Sequence, residues 1–122
     1  MRIIGIDPGT GILGFGVIET ANGGSAKLVD GGVIRTKVNE ALDDRLVEIY
    51  EHLQDVIKET KPSVMAVEKL FFAQNITTAI SVSHARGVAM LAGKQAGLEV
   101  AEYTPLQIKQ SLTGYGRADK KQ

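Results

Sequence analysis

The chain has 122 residues, with 14 basic and 14 acidic side chains and no cysteine. This length suits one compact domain, and the lack of cysteine excludes a disulfide framework and a thiolate metal site, so that we expect a reducing, cytoplasmic location. No apolar run approaches the about 20 residues of a membrane span, and the first residues lack the pattern of an export signal, so that we expect no membrane association.

The first predicted strand, residues 2–7, ends in an acidic side chain. Its apolar run is followed by Asp7 and then by Pro-Gly-Thr-Gly at residues 8–11. Aspartate is disfavoured inside strands, so we interpret the Asp7 carboxylate as a group that holds a metal ion or a phosphate at the edge of a sheet. The alternative is that Asp7 hydrogen-bonds to the backbone of the turn, as aspartate often does before Pro-Gly.

Two further strands and a helix are predicted next. Residues 13–20 and 26–36 have the composition of strands, and the Asn-Gly-Gly sequence between them indicates a hairpin turn, because Asn and Gly tolerate a positive φ. Apolar residues then recur at helical spacing over residues 41–60, which predicts an amphipathic helix. Residues 40–61 hold seven acidic and three basic side chains, so we expect the outer face of this helix to lie away from nucleic acid.

The fourth predicted strand, residues 63–68, repeats the pattern of the first. It ends in Glu68, so two strands each supply one carboxylate at their carboxyl end, where ligands bind in open α/β sheets. Two converging carboxylates repel each other unless a cation lies between them, and Mg²⁺ prefers oxygen ligands of this kind. The alternative for Glu68 is a solvated strand end paired with Lys69.

The remaining pattern completes an α/β fold. A helix rich in small and apolar residues is predicted over residues 75–96, a strand over 99–103 and a third helix from 105 to about 112. Three strands joined by hairpins, then helix, strand, helix and strand, predict a mixed five-stranded sheet of three antiparallel and two parallel strands with flanking helices. Residues 1–122 form one predicted domain. Residues 86–122 hold six basic and three acidic side chains and are the better candidates for phosphate contacts.

Five motifs in order resemble the RuvC-type Holliday-junction resolvases of the ribonuclease-H-like superfamily. They are IGIDPGT with the following GFGVI, then GGVIRTK, AVEKLFFAQN, ARGVAM and QIKQSLTGYGRADK. Each motif alone is weak, but their order and spacing over the whole chain are specific. The resemblance implies a ribonuclease-H-like fold. It also implies a structure-selective, Mg²⁺-dependent endodeoxyribonuclease that resolves four-way junctions in DNA recombination and repair by paired hydrolysis of phosphodiester bonds.

The resemblance also implies roles for individual residues. Asp7 would contact two Mg²⁺ ions, with Mn²⁺ as a substitute, and Glu68 would contact one, so that both are catalytic. The expected DNA-binding residues are Thr10, Phe71, Asn75, Lys109 and Lys120. Phe71 would stack on unpaired bases of the junction, and the two lysines would lie near the scissile phosphate. The alternatives are a Phe71 packed in the core, solvated lysines, and a Thr10 hydroxyl that only stabilises its turn.

The sequence departs from the family at one point. The family has two more acidic residues, in an Asp-x-x-Asp pair on a C-terminal helix, and residues 1–122 contain no such pair. We therefore expect this chain to be an N-terminal piece that lacks the C-terminal helix and is inactive as a nuclease by itself. The family further implies a homodimer formed through the helix at residues 75–96 and a complex with a branch-migration helicase.

Two other functions are compatible with parts of the sequence. A sugar-kinase or actin-like ATPase also carries Asp-x-Gly-Thr after a strand, but it needs a second such loop and a much longer chain. The stronger alternative is a catalytically incomplete module of the same fold that binds nucleic acid or a partner protein. The missing acidic pair keeps this alternative open.

Overall fold

The computed structural model describes residues 1–21, 23–69 and 76–103, with the side chains of 76–78 excluded. Within these ranges the elements are β1 (Arg2–Asp7), β2 (Ile12–Thr20), β3 (Ala26–Arg35), α1 (Leu42–Thr60), β4 (Val64–Glu68), α2 (Ile76–Gln95) and β5 (Glu99–Tyr103). Each lies within one residue, at either end, of the element predicted from the sequence. The third predicted helix, residues 105–112, lies outside the described residues.

The five strands form one mixed sheet in the order β3-β2-β1-β4-β5. β2 is antiparallel to both β1 and β3, whereas β4 is parallel to both β1 and β5. The turn between β2 and β3 uses Gly23 and Gly24 at φ values of 94° and 86°, which glycine adopts without strain. The sheet order and strand directions confirm the predicted fold class.

Both helices cover the same face of the sheet. The buried core joins residues of the central strands to residues of α1 and α2, namely Ile4, Ile6, Met65, Val67, Ile49, Leu53, Ala85 and Ala89. The small residues of α2 allow it to lie close to the sheet: a Cβ on Gly93 would lie 2.8 Å from the Sδ atom of Met65. Apolar burial on this face is therefore what fixes the sheet against the helices.

The other face of the sheet carries a row of small residues across all five strands. Successive cross-strand neighbours in this row are Gly31, Gly16, Gly5, Ala66 and Ala101. Because side chains alternate along a strand, these residues lie opposite the helices.

No helix in the described ranges has the length and hydrophobicity that crossing a bilayer requires.

Candidate active site

The two predicted metal ligands lie beside each other at one edge of the sheet. Asp7 is the last residue of β1 and Glu68 is the last residue of β4. The parallel pairing of these strands reaches Ile6 opposite Val67, so the next residues, Asp7 and Glu68, are neighbours. Adjacent strands are about 4.8 Å apart, which brings both carboxyl groups within reach of a single ion.

Both carboxylates lie on the face of the sheet opposite the helices. Ile6 and Val67, the preceding residues, are buried in the core, and alternation turns Asp7 and Glu68 to the other side. Asp7 is exposed and Glu68 is partly exposed. Their row across the sheet runs Val33, Gly14, Asp7, Glu68, Tyr103. The site therefore offers acidic oxygens that solvent and ions can reach.

The turn after Asp7 is held by its own backbone and by neighbouring hydroxyl groups. A Cβ on Gly9 would collide with the carbonyl oxygen of Ile12, so the turn requires glycine there. The hydroxyl of Thr36 donates to the carbonyl of Thr10 at 2.6 Å. Within the described residues the Asp7 carboxylate takes part in no hydrogen bond or ion pair, so the alternative that Asp7 stabilises this turn has no support.

Thr10 is joined to helix α2. Its Oγ1 lies 2.8 Å from Oγ of Ser81, and either hydroxyl can be the donor. The bond ties the turn beside Asp7 to the helix. A hydroxyl in this position still has acceptor capacity for a phosphate contact, and the predicted DNA contact of Thr10 stays a prediction.

The other predicted DNA-binding residues lie outside the described residues. These are Phe71, Asn75, Lys109 and Lys120. Of the basic residues expected to contact phosphate, Arg86 has another partner: its Nη2 lies 2.6 Å from Oε2 of Glu102, and its side chain is 17% exposed. The charge of Arg86 is therefore already paired inside the protein, and phosphate contacts by the other basic residues of 86–122 stay a prediction.

Two residues near the site make contacts that were not predicted. Gly14 pairs with Asp7 across β1 and β2, and a Cβ on Gly14 would lie 3.6 Å from Cβ of Asp7. Arg86 donates from Nε to the backbone carbonyl of Glu68 at 3.4 Å. The sequence signals were the alternating glycines of GFGVI and the arginine of ARGVAM, but neither signal says which residue lies across the sheet.

The donor set fits a hard divalent cation. Among the described residues there is no group of three or more His, Asp or Glu side chains that could hold a metal ion. Mg²⁺, however, keeps several waters and binds proteins through one or two carboxylates. The neighbouring carboxylates of Asp7 and Glu68 meet this requirement.

The chain is similar to proteins of one known family. The family model described as "Crossover junction endodeoxyribonuclease RuvC" matches residues 3–122. Proteins with this name from Desulforamulus reducens and Alkaliphilus metalliredigens are each 52% identical over 122 residues, which is 100% of this chain and 74% of each relative.

Solved structures show the same likeness. The structure of T. thermophilus RuvC in complex with Holliday junction substrate superposes with a TM-score of 0.87 and 36% identity, covering 99% of this chain and 73% of that chain. The yeast mitochondrial Holliday junction resolvase Ydc2 is 12% identical, with a TM-score of 0.64 over 89% of this chain and 51% of its own. This second likeness is one of fold alone, and together they confirm the predicted fold class.

Proposed function

Because the chain belongs to the crossover junction endodeoxyribonuclease RuvC family, we propose that, together with the family's Asp-x-x-Asp pair, it cuts four-way DNA junctions by Mg²⁺-dependent hydrolysis at Asp7 and Glu68. The observation that carries this proposal is the adjacency of the two carboxylates on one solvent-accessible face, at the carboxyl ends of parallel strands. The likeness to T. thermophilus RuvC, whose structure holds a Holliday junction substrate, supports the same substrate class.

The carboxylates have distinct tasks in this reaction. Bound divalent ions would supply charge for activating a water and for stabilising the leaving oxygen. Asp7, on an exposed strand end, would be a ligand of both ions, and Glu68, on the neighbouring strand, would be a ligand of one. Both ligands are fixed on strands whose preceding residues are buried, which limits their movement.

Substitution of each carboxylate by its amide tests the proposal, in a protein that also contains the family's Asp-x-x-Asp pair. Asp7→Asn and Glu68→Gln keep the shape of the side chain and remove its charge, so junction binding and melting temperature should be kept while cleavage is nearly lost. Added Mg²⁺ should not restore activity. Asp55→Asn and Glu51→Gln are matched controls on the exposed surface of α1 and should cleave normally.

The outcome also separates the nuclease from the alternative function. Cleavage by Asp7→Asn at close to the wild-type rate would show that the assigned metal-ligand role is wrong. Junction binding with no cleavage at any Mg²⁺ concentration, by a wild-type protein that contains the Asp-x-x-Asp pair, would favour the catalytically incomplete binding module.

We also propose that residues 1–122 by themselves have little nuclease activity. Asp7 and Glu68 alone offer few ligands for two ions, and the family's Asp-x-x-Asp pair would supply the others. Residues 1–122 should be assayed on a four-way junction with Mg²⁺ or Mn²⁺, beside the protein that includes the pair. Comparable turnover would mean that the further acidic ligands come from within residues 1–122.

A homodimer formed through α2 is the assembly that we propose. Ile80 and Leu91 are 54% and 51% exposed, and His84 and Gly87 between them are exposed as well. Their spacing places all four on one side of the helix, opposite the residues buried against the sheet. A two-fold dimer suits a junction in which two symmetric strands are cut.

Sedimentation tests the dimer. Wild-type protein should sediment as a dimer at micromolar concentration, and Leu91→Glu should shift it to monomer. Val47→Glu, at an exposed apolar position on α1, is the control and should leave the dimer intact; a monomeric wild-type protein would contradict the proposal. We also propose a branch-migration helicase as a partner, as the resemblance to the family implies, and a cytoplasmic location, as the lack of cysteine suggests.

A further inference from the structure

Arg86 joins three elements at the end of β4. From α2, its Nη2 lies 2.6 Å from Oε2 of Glu102 on β5. Its Nε donates to the backbone carbonyl of Glu68 at 3.4 Å, and its Nη1 lies 3.4 Å from Sδ of Met90. The arginine side chain is largely buried, so its charge needs these partners.

The geometry of a guanidinium makes this arrangement directional. Its nitrogens lie in one plane at fixed angles, so the position of Nη2 beside the Glu102 carboxylate limits where Nε can point. Glu102 pairs with Val67 across β4 and β5, one residue before Glu68. The Glu102 side chain and the Glu68 carbonyl, which both contact Arg86, therefore lie close together along the strands.

A backbone hydrogen bond also holds the end of β4. The amide of Lys69 donates to the carbonyl of Tyr103 at 2.8 Å. Arg86 adds a second restraint at this point, applied to the peptide that follows Glu68. The guanidinium acts from the helix side of the sheet, whereas the Glu68 carboxylate lies on the opposite side.

We propose that Arg86 is a positioning residue for Glu68. By holding the Glu68 carbonyl, it fixes the last peptide of β4 and with it the direction in which the carboxylate leaves the strand. Metal affinity depends on such outer partners of a ligand. The inference rests on the proposed role of Glu68 as a metal ligand and assigns the source of its orientation.

The test measures Mn²⁺ binding by calorimetric titration of the protein without DNA, together with its melting temperature. Arg86→Gln removes both the positive charge and the planar guanidinium group. It should weaken Mn²⁺ binding about tenfold, the low end of the losses seen when an outer partner of a metal ligand is mutated. Arg86→Lys keeps the charge but cannot bind Glu102 and the Glu68 carbonyl together, so it should not restore affinity. Lys94→Gln, an exposed charge removal on the same helix, should change nothing.

Two further variants keep the test decisive. Glu102→Gln removes the charge that pairs with Arg86, at a side chain that is 43% exposed, so it leaves no cavity in the core. It should weaken Mn²⁺ binding even if Arg86→Gln does not fold. Combined with Glu68→Gln, Arg86→Gln should cause no additional loss, because the two residues act through one ligand.

The possible failures are distinct. If Glu68→Gln weakens Mn²⁺ binding but Arg86→Gln and Glu102→Gln lower only the melting temperature, Arg86 is a structural clamp and the inference is wrong. If Glu68→Gln itself leaves Mn²⁺ binding unchanged, the proposed metal-ligand role of Glu68 is wrong and the inference fails with it.

Discussion

Replacing Gly14 by valine should stabilise the protein and stop cleavage at the same time. Gly14 lies opposite Asp7 in the antiparallel pairing of β1 and β2, on the same face as the carboxylates. A Cβ at this position would lie 3.6 Å from Cβ of Asp7, which is an ordinary van der Waals contact. The first carbon of a new side chain therefore fits, but the methyl groups beyond it would occupy the space beside the Asp7 carboxylate.

The two effects have opposite signs and can be estimated separately. Glycine inside a strand costs about 0.5–1 kcal/mol relative to alanine, and valine is among the residues that strands favour. Gly14→Val should therefore raise the free energy of unfolding by about 0.5–1 kcal/mol, which for a domain of this size raises the melting temperature by about 2–5 °C. A displacement of about 1 Å at a reacting centre costs about 100-fold in rate, so cleavage should fall by about that factor.

The assay compares melting temperature and single-turnover cleavage of a four-way junction for wild type, Gly14→Val and Gly16→Val, each in a protein that contains the Asp-x-x-Asp pair. Gly16→Val is the matched control, because Gly16 is two residues further along β2 on the same face and a Cβ there meets no described atom within 4 Å. It should change stability in a similar way and leave the cleavage rate nearly unchanged. A folded Gly14→Val variant with the wild-type rate would refute the reasoning, since the space beside Asp7 would then not matter.

Three further predictions concern Gly9 in the turn after β1, Glu40 before α1 and Phe71 after Glu68. Gly9→Ala should lower stability by about 0.5–3 kcal/mol in urea unfolding, because the new Cβ collides with the Ile12 carbonyl; an unchanged midpoint would contradict this. Burial, together with the neighbouring Glu48, raises the pKa of Glu40 above its usual value of 4.5. The folded state therefore binds this proton more tightly than the unfolded state, and stability falls as pH rises from 4.5 through the raised pKa; Glu40→Gln should melt higher than wild type at neutral pH and show no advantage below pH 4.5. Phe71→Ala should reduce junction cleavage with little change in melting temperature, whereas loss of a core phenylalanine would cost about 3–5 kcal/mol.

The elements of this fold could be predicted because their signals are local. Element ends are marked in the sequence by glycine and proline: Gly23 and Gly24 in the turn between β2 and β3, Pro62 after α1, and Gly97 after α2. Gly97 has a φ of 84°. The meeting of Asp7 and Glu68 followed from a rule about strand ends. It needed only the two short apolar runs and the parallel direction of their strands.

The neighbours of the site could not be predicted, because they depend on register and helix rotation. Gly14 faces Asp7 only through the β1–β2 register, and the β2–β3 register shifts between Val17 and Ile18. Arg86 points to Glu102 because α2 is rotated about its axis so that Ala85 and Ala89 are buried against the sheet. The number of basic residues in a stretch of sequence does not show which of them are ion-paired inside the protein, so the pairing of Arg86 with Glu102 could not be predicted.

The position of the site is fixed by the core on the other side of the sheet. Ile6 is 3% exposed and Asp7, the next residue, is exposed on the opposite face. A shift of the β1 register by one residue would bury the carboxylate and expose the isoleucine, so the free energy of burying the core strongly disfavours it. The same holds for Val67 and Glu68 on β4. Stability and chemistry thus occupy opposite faces of the same strands, and a substitution such as Asp7→Asn can remove activity without removing any of the contacts that hold the fold together.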